Sequence, residues 1–332
     1  MRVVIAGAGA LGTCYAAMMA HAGAEVFVLV RPERRAAYGE RLRVSGLVEA
    51  AGPVRIITSG EEAGTADFLM VMTKARDTAA ALDALRGLEP DAALSLQNGL
   101  GKNDLLIDRY GRERVLGAAC SVGASLVERG HARLTMNVAT WLGELEGPVT
   151  QRVVKLVAAV RAAGFPSWSV PDAQAVEWYK LCFLIPGSVV TALSRRTYAE
   201  MCLHPELARL WVRIMRETFA VPRALGVKIT TPPSSPWRVA DWLDQPDEVA
   251  IDGLREIGER QRESGPGMRP SLAQDVLAGR PTEADQVVGE LVRRAQALGV
   301  PVPATETCFQ LLRGIEDGFS TCLLYTSDAA DE

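Results

Sequence analysis

Arg2-Val3-Val4-Ile5-Ala6-Gly7-Ala8-Gly9-Ala10-Leu11-Gly12 decides the fold. The first five residues carry a β-branched apolar run that predicts a strand, and the glycines behind it predict a tight turn into a helix. In this G-x-G-x-x-G spacing Gly7 permits the turn, Gly9 lets a pyrophosphate approach the backbone, and Gly12 allows helix and strand to pack closely. Ala8, Ala10 and Leu11 complete the loop, and the free N–H groups at the helix start face the phosphates. The pattern belongs to a dinucleotide site. A glycine turn without ligand and a flavin-nucleotide loop share it, but flavin proteins normally carry an acidic residue after the second strand.

Working outward, β-branched runs at about 25–30, 67–72 and 92–97 alternate with Ala-rich helical stretches at about 10–22, 77–86 and 102–110. That alternation predicts βαβ units and a mostly parallel sheet. Between 115 and 143, short apolar runs such as 132–135 and 138–142 predict added strands at the sheet edge. After Pro171 the periodicity becomes helical, over 173–195, 205–225, 246–263, 269–278, 283–298 and 304–317. The expected fold is therefore α/β: an N-terminal Rossmann domain over residues 1–168, then an all-α domain over 169–319. The boundary is expected near 166–172, where Pro166 and Pro171 bracket a short strand-like piece. Thr231-Pro232-Pro233-Ser234-Ser235-Pro236 reads as a surface loop. Residues 320–332 break the amphipathic pattern and read as a disordered or non-native tail.

The chain of 332 residues exceeds the size of one hydrophobic core, and 48% hydrophobic with 23% charged residues is ordinary for a globular protein. A net charge of −4 without a long basic run argues against nucleic acid and anionic membrane as partners. No stretch of 18 uninterrupted apolar residues occurs, and the strand-like start lacks the features of a signal peptide, so the expected compartment is the cytoplasm. The six cysteines lie far apart without a C-x-x-C pair, and the three histidines lack ligand spacing, so no metal is expected. Ala119-Cys120-Ser121-Val122-Gly123 lacks the first glycine of a nucleophile elbow, which argues against a Ser-His-Asp hydrolase.

The second strand ends at Arg31, with Arg34 and Arg35 behind it. A carboxylate there would hold a ribose 2′-hydroxyl; a guanidinium suits a 2′-phosphate. Exchanging one for the other changes binding by about 1–4 kcal/mol per charge. NADP is thus favoured over NAD, unless Arg31 is merely a solvated loop charge. Lys74 and Asn98 follow later strands, where ligands of open parallel sheets bind, although both types are also common in loops. Without a suitable histidine, reduction of a ketone needs another proton donor. Lys180 fits, in Glu177-Trp178-Tyr179-Lys180-Leu181-Cys182-Phe183-Leu184-Ile185-Pro186-Gly187-Ser188. This helix is apolar enough to be buried, and burial lowers a lysine pKa toward the range of a general acid. A lysine snorkelling to the helix edge is the plainer alternative. Pro186-Gly187 is expected to break or kink the helix one turn later.

Together these residues resemble the ketopantoate reductase family, from Arg2 to about Gly318. Beyond the glycine loop the resemblance is carried by Arg31, Val71-Met72-Thr73-Lys74, Gln97-Asn98-Gly99, Glu177-Trp178-Tyr179-Lys180, Ser271-Leu272-Ala273-Gln274-Asp275 with Glu283 beyond it, and Ala297-Leu298-Gly299-Val300-Pro301-Val302-Pro303. It implies a helical domain like the C-terminal domain of 6-phosphogluconate dehydrogenase and NADPH-dependent reduction of 2-dehydropantoate to pantoate or of a related 2-oxo compound. It further implies Lys180 as general acid, Glu283 beside it and the nicotinamide, and Asn98 bridging cofactor and substrate. Lys74 and Gly123 would line the cofactor site, and Ser271 would bind the substrate carboxylate.

The chain departs from the family at Leu184, Ser188 and Met268, where asparagines are usual. Leu184 and Ser188 remain candidate substrate contacts, but the changes favour a bulkier or more apolar substrate. Two alternatives stay open: reduction of another ketone or an imine in specialised metabolism, and an NADPH sensor without turnover. A small-molecule substrate is the expected partner, with a homodimer through the helical domain as a further possibility.

Overall fold

Val3, Val4 and Ile5 lie at the centre of a sheet that buries both their faces, which is why the first strand reads as an unbroken apolar run. The computed structural model describes residues 1–263 and 267–327, with side chains through 319. The chain divides into two compact units: Met1–Glu177 with Pro232–Ser235, and Trp178–Thr231 with the chain from Pro236 onward.

The first unit runs β1 (Arg2–Ala6), α1 (Ala10–His21), β2 (Glu25–Leu29), β3 (Arg41–Gly46), β4 (Ala50–Pro53), β5 (Arg55–Ile57), β6 (Thr65–Val71), α2 (Thr78–Ala84), β7 (Glu89–Ser95), α3 (Asp104–Tyr110), β8 (Val115–Glu128), β9 (His131–Glu144), α4 (Gln151–Ala162) and β10 (Ser167–Ser169), then enters α5 (Ala173–Ser194). The sheet order is β4-β3-β9-β8-β7-β6-β1-β2-β5, with β10 beside β9. From β5 to β8 every pairing is parallel; β8 with β9 and β3 with β4 are antiparallel. Tyr15, Met19, Leu156 and Val160 of α1 and α4 pack on one face with Val3 and Ile5. Leu82 and Leu106 of α2 and α3 pack on the other with Val4 and Leu69. This is the expected Rossmann arrangement.

Several elements depart from the sequence reading. Strands β3 to β5 and helix α4 were not anticipated. β3 alternates exposed and buried positions, so it lacks the continuous apolar signature of the central strands. The loop at 231–236 is only partly a surface feature: the buried Trp141 indole donates to the Pro233 carbonyl at 2.8 Å.

Helix α5 runs unbroken past Pro186. Burial of nearly the whole helix outweighs the roughly 3 kcal/mol that an internal proline costs. The Thr191 hydroxyl donates to the Gly187 carbonyl at 2.6 Å, within the turn that follows. Gly187 has its own reason, because a Cβ there would lie 2.6 Å from the Tyr198 ring. α5 is long and apolar enough to cross a bilayer by composition, yet it is mostly buried inside the fold. The two compact units part between Glu177 and Trp178, inside α5. The first turn of α5 packs on the sheet, with Ala173 and Val176 against Ala119, Ala139 and Trp141.

The second unit continues with α6 (Tyr198–Leu203), α7 (Pro205–Ala224), α8 (Val239–Trp242), α9 (Asp247–Glu263), α10 (Ser271–Leu277), a π-helical turn at Asp285–Gly289, α11 (Glu290–Ala297) and α12 (Pro303–Ser327). α6 and α8 are short and were not anticipated. Helix α7 is central, touching α6, α9, α11 and α12. Its Glu217 accepts from the Ala304 and Thr305 amides at 3.0 and 2.8 Å, capping the start of α12. α12 takes in residues 320–327, which the sequence reading set apart as tail; 328–332 lie outside the described residues.

Candidate functional site

Four neighbouring parallel strands, β2, β1, β6 and β7, end on the same edge, and each delivers one of the expected residues or motifs. The glycine loop follows β1, Arg31 follows β2, Lys74 follows β6, and Asn98 follows β7. Ligands of open parallel sheets bind at this edge.

The loop geometry explains its glycines. Gly7 adopts φ +108°, and a Cβ on it would lie 2.8 Å from the Thr73 nitrogen. A Cβ on Gly12 would lie 1.9 Å from the Gly7 carbonyl oxygen, so any larger residue would part helix from strand. Gly9 is different: it is exposed, and a Cβ there would meet nothing within 4 Å. Space therefore opens at the start of α1, where no side chain caps the helix and no acidic residue sits in the first turn. Ala10 and Leu11 form that turn, and the Ala8 carbonyl accepts from Thr13 and Tyr38. A pyrophosphate fits this cradle.

The loop after β6 is tied to all three of its neighbours. Gly7 presses on Thr73. The Gln97 amide, from the β7 end, donates to the Thr73 carbonyl at 2.8 Å and to the Thr78 hydroxyl at 2.7 Å. Arg31 reaches Asp77 at 2.8 Å. Lys74 is exposed, Asn98 is half-buried, and Gly99 takes φ +107° directly behind it. Gly123 lies on β8 well beyond the Leu116–Leu94 pairing, so its strand extends past the same edge. A side chain at Gly123 would press on Thr135 and Met136 at 3.1 Å.

A buried ion pair behind this edge escaped the sequence reading. Lys102 and Glu177 meet at 3.0 Å with side chains 4% and 8% exposed. Glu177 also accepts from the Asn103 amide at 2.9 and 3.2 Å and from the Ala118 N–H at 3.0 Å. Lys102 donates in turn to the Ser95 and Ala118 carbonyls. Buried charges persist where every lone pair and proton is used in this way. The cluster fixes the first turn of α5 to the segment after β7 that bears Asn98. No spacing rule links residues 102 and 177, so the sequence carried no signal for it.

In the second unit, Lys180, Leu184 and Ser188 share one face of α5 at helical spacing. From Ala175 to Ala192 every residue is buried except Lys180 and Leu184, which are half-buried. Lys180 is thus more open than the full burial its apolar neighbours suggested. Phe183, beside Leu184 in sequence, stacks on Trp237 at 5.4 Å, and Tyr198 lies 6.0 Å from the same indole. The Tyr198 N–H donates to the Met268 carbonyl at 2.8 Å. Because Tyr198 also contacts Gly187, the Met268 segment is pinned close to α5. Ser271 opens α10 and is exposed; Glu283 is half-buried just ahead of the π-helical turn. The second-unit candidates thus come from α5, α10 and the segment before the π turn.

Desolvation pushes the Cys14 and Cys202 thiols up to about 12 and raises that of Cys182 further, so none of them offers a thiolate nucleophile.

A glycine loop behind the first strand of a parallel sheet, followed by a helical unit bearing Lys180, is the arrangement of a two-domain oxidoreductase dependent on a nicotinamide nucleotide. The chain belongs to the ketopantoate reductase family: residues 3–147 match the family described as Ketopantoate reductase PanE/ApbA, and residues 172–316 match Ketopantoate reductase PanE/ApbA C terminal. It is similar to the 2-dehydropantoate 2-reductase of Archaeoglobus fulgidus, 29% identical, with 96% of this chain and 98% of that protein covered. A solved PanE/ApbA family ketopantoate reductase from Ralstonia eutropha JMP134 superposes with a TM-score of 0.78 at 28% identity, covering 96% of this chain and all of that one. D-mandelate dehydrogenase, solved with NADH and anilino(oxo)acetate, shares the fold at a TM-score of 0.79 and 20% identity, covering 96% and 100% of the two chains.

Proposed function

We propose that the protein reduces the carbonyl of a 2-oxo acid with NADPH, 2-dehydropantoate being the first candidate, and that Lys180 is the general acid. The observation that carries this reading is that, between Ala175 and Ala192, the helix is buried except at Lys180 and Leu184. A half-buried ammonium on this face can donate a proton, which is what carbonyl reduction requires.

The roles are those the family resemblance implies for these positions. Gly7 to Gly12 hold the pyrophosphate, Arg31 the 2′-phosphate, and Lys74, Gly123 and Asn98 the rest of the cofactor. Ser271 receives the substrate carboxylate, and Glu283 sets the charge around Lys180. The bound nicotinamide supplies the hydride, and Lys180 gives its proton to the carbonyl oxygen as the alkoxide forms. One 2-oxo acid, one NADPH and one proton become one 2-hydroxy acid and NADP+. The buried free thiols among the described residues suit a reducing, cytoplasmic setting.

A second reading concerns the substrate side chain. Leu184 is apolar where the family usually has asparagine, and Ser188 is buried, so a 2-oxo acid with an apolar branch or ring fits better than the hydroxylated chain of 2-dehydropantoate. NADPH oxidation measured across 2-oxo acids, simple ketones and imines tests both readings. Turnover of 2-oxo acids alone is expected; turnover of only ketones or imines, or tight NADPH binding with no turnover, would overturn the assignment.

A further inference from the structure

The sequence offers three arginines after β2 to a 2′-phosphate, yet two of them are already engaged. Arg35 is held by Glu62 at 2.7 Å, and Arg31 by Asp77 at 2.8 Å. The second pair joins the β2 end to the β6 end, the two strands that flank β1, and so spans the edge where the glycine loop opens. Both of its side chains are exposed, at 55% and 36%. An exposed pair of this kind is weak and yields to a stronger anion.

Resting on the reading that Arg31 receives the 2′-phosphate, we infer that Asp77 is a specificity-determining residue that lowers the preference for NADPH over NADH. Its carboxylate occupies one arm of the guanidinium that the phosphate must use. A phosphate dianion seated on the remaining donors then faces a second negative charge across the same guanidinium. NADH carries a 2′-hydroxyl there in place of the phosphate and escapes this repulsion. Asp77 thereby sets an intermediate discrimination where Arg31 alone would give a strong one, and it keeps NADH admissible. Lys74, three residues before Asp77 on the same loop, is exposed and adds positive charge on that side. Glu62 stands apart, its carboxylate bonded to the Thr58 and Ser59 amides and to Arg35.

The test is titration of NADPH and NADH, followed by nicotinamide fluorescence at low ionic strength, into wild type, Asp77→Asn and Arg31→Ala. The readout is the ratio of the NADH to the NADPH dissociation constant. Coulomb repulsion over about 7 Å of solvent predicts that Asp77→Asn raises this ratio roughly five- to tenfold. Arg31→Ala should lower it. If Arg31→Ala lowers the ratio but Asp77→Asn leaves it unchanged or lowers it too, Asp77 only holds the guanidinium in place and the inference fails while the Arg31 reading stands. If neither variant moves the ratio, the Arg31 reading itself fails. Because binding rather than turnover is measured, the result does not depend on the substrate.

Discussion

Glu177 stands three residues before Lys180, and its carboxylate is fully engaged by Lys102, Asn103 and the Ala118 amide. Removing one partner strands the other charge in the interior, so Glu177→Ala is expected to cost about 3–5 kcal/mol of unfolding free energy in urea denaturation. The double variant Lys102→Met/Glu177→Leu, which removes both charges, should recover much of that loss; a double variant as unstable as the single one would show that packing, and not the stranded charge, is responsible. Such pairs mark where sequence reading stops. The sheet-edge positions of Arg31, Lys74 and Asn98 were legible because each follows an apolar strand. Lys102, Gln97 and Asp77 do comparable structural work, but their partners lie 75, 24 and 46 residues away, and only the fold pairs them. The thiols carry a further expectation: at pH 8 a disulfide exchange reagent should leave Cys14, Cys182 and Cys202 unmodified until the protein is unfolded, because burial keeps them protonated.

Strand β1, the glycine loop and α1 form the element that the sequence described best, since a fully buried parallel strand and a glycine-spaced turn both write themselves as composition. Gly9 and Gly12 make separable predictions. Gly12→Ala inserts a methyl 1.9 Å from the Gly7 carbonyl, so both thermal stability and NADPH binding should fall. Gly9→Ala meets no protein atom within 4 Å, so its melting temperature should hold while NADPH binding weakens at least tenfold. Unchanged NADPH binding in Gly9→Ala would move the phosphates away from this loop. Elements with half-exposed faces were harder to read. β3 buries only alternate residues, and α4 follows a Gly-Pro segment that looks like loop. Pro186 misled in the other direction: its local penalty is real, but a helix buried along most of its length absorbs it.

The first unit also carries a pH dependence that belongs to the fold rather than to catalysis. Asp67 on β6 receives hydrogen bonds from Lys155 of α4 and from the Arg2 backbone, and the lysine contact, opposed by burial, holds its carboxyl below the usual range. A depressed carboxyl stabilises the fold above its unfolded pKa, and that stability drains away as pH falls through the folded value. Unfolding free energy should therefore decline below about pH 4, and Asp67→Asn should flatten the decline. For the molecule as a whole, the proposed role of Lys180 as proton donor is open to direct measurement. Steady-state oxidation of NADPH with the best 2-oxo acid, alongside fluorescence titration of NADPH, compares wild type with Lys180→Ala. The account predicts a fall in kcat of about 10²- to 10⁴-fold with the NADPH dissociation constant changed less than threefold; a near-wild-type kcat in a variant that still binds NADPH would contradict it.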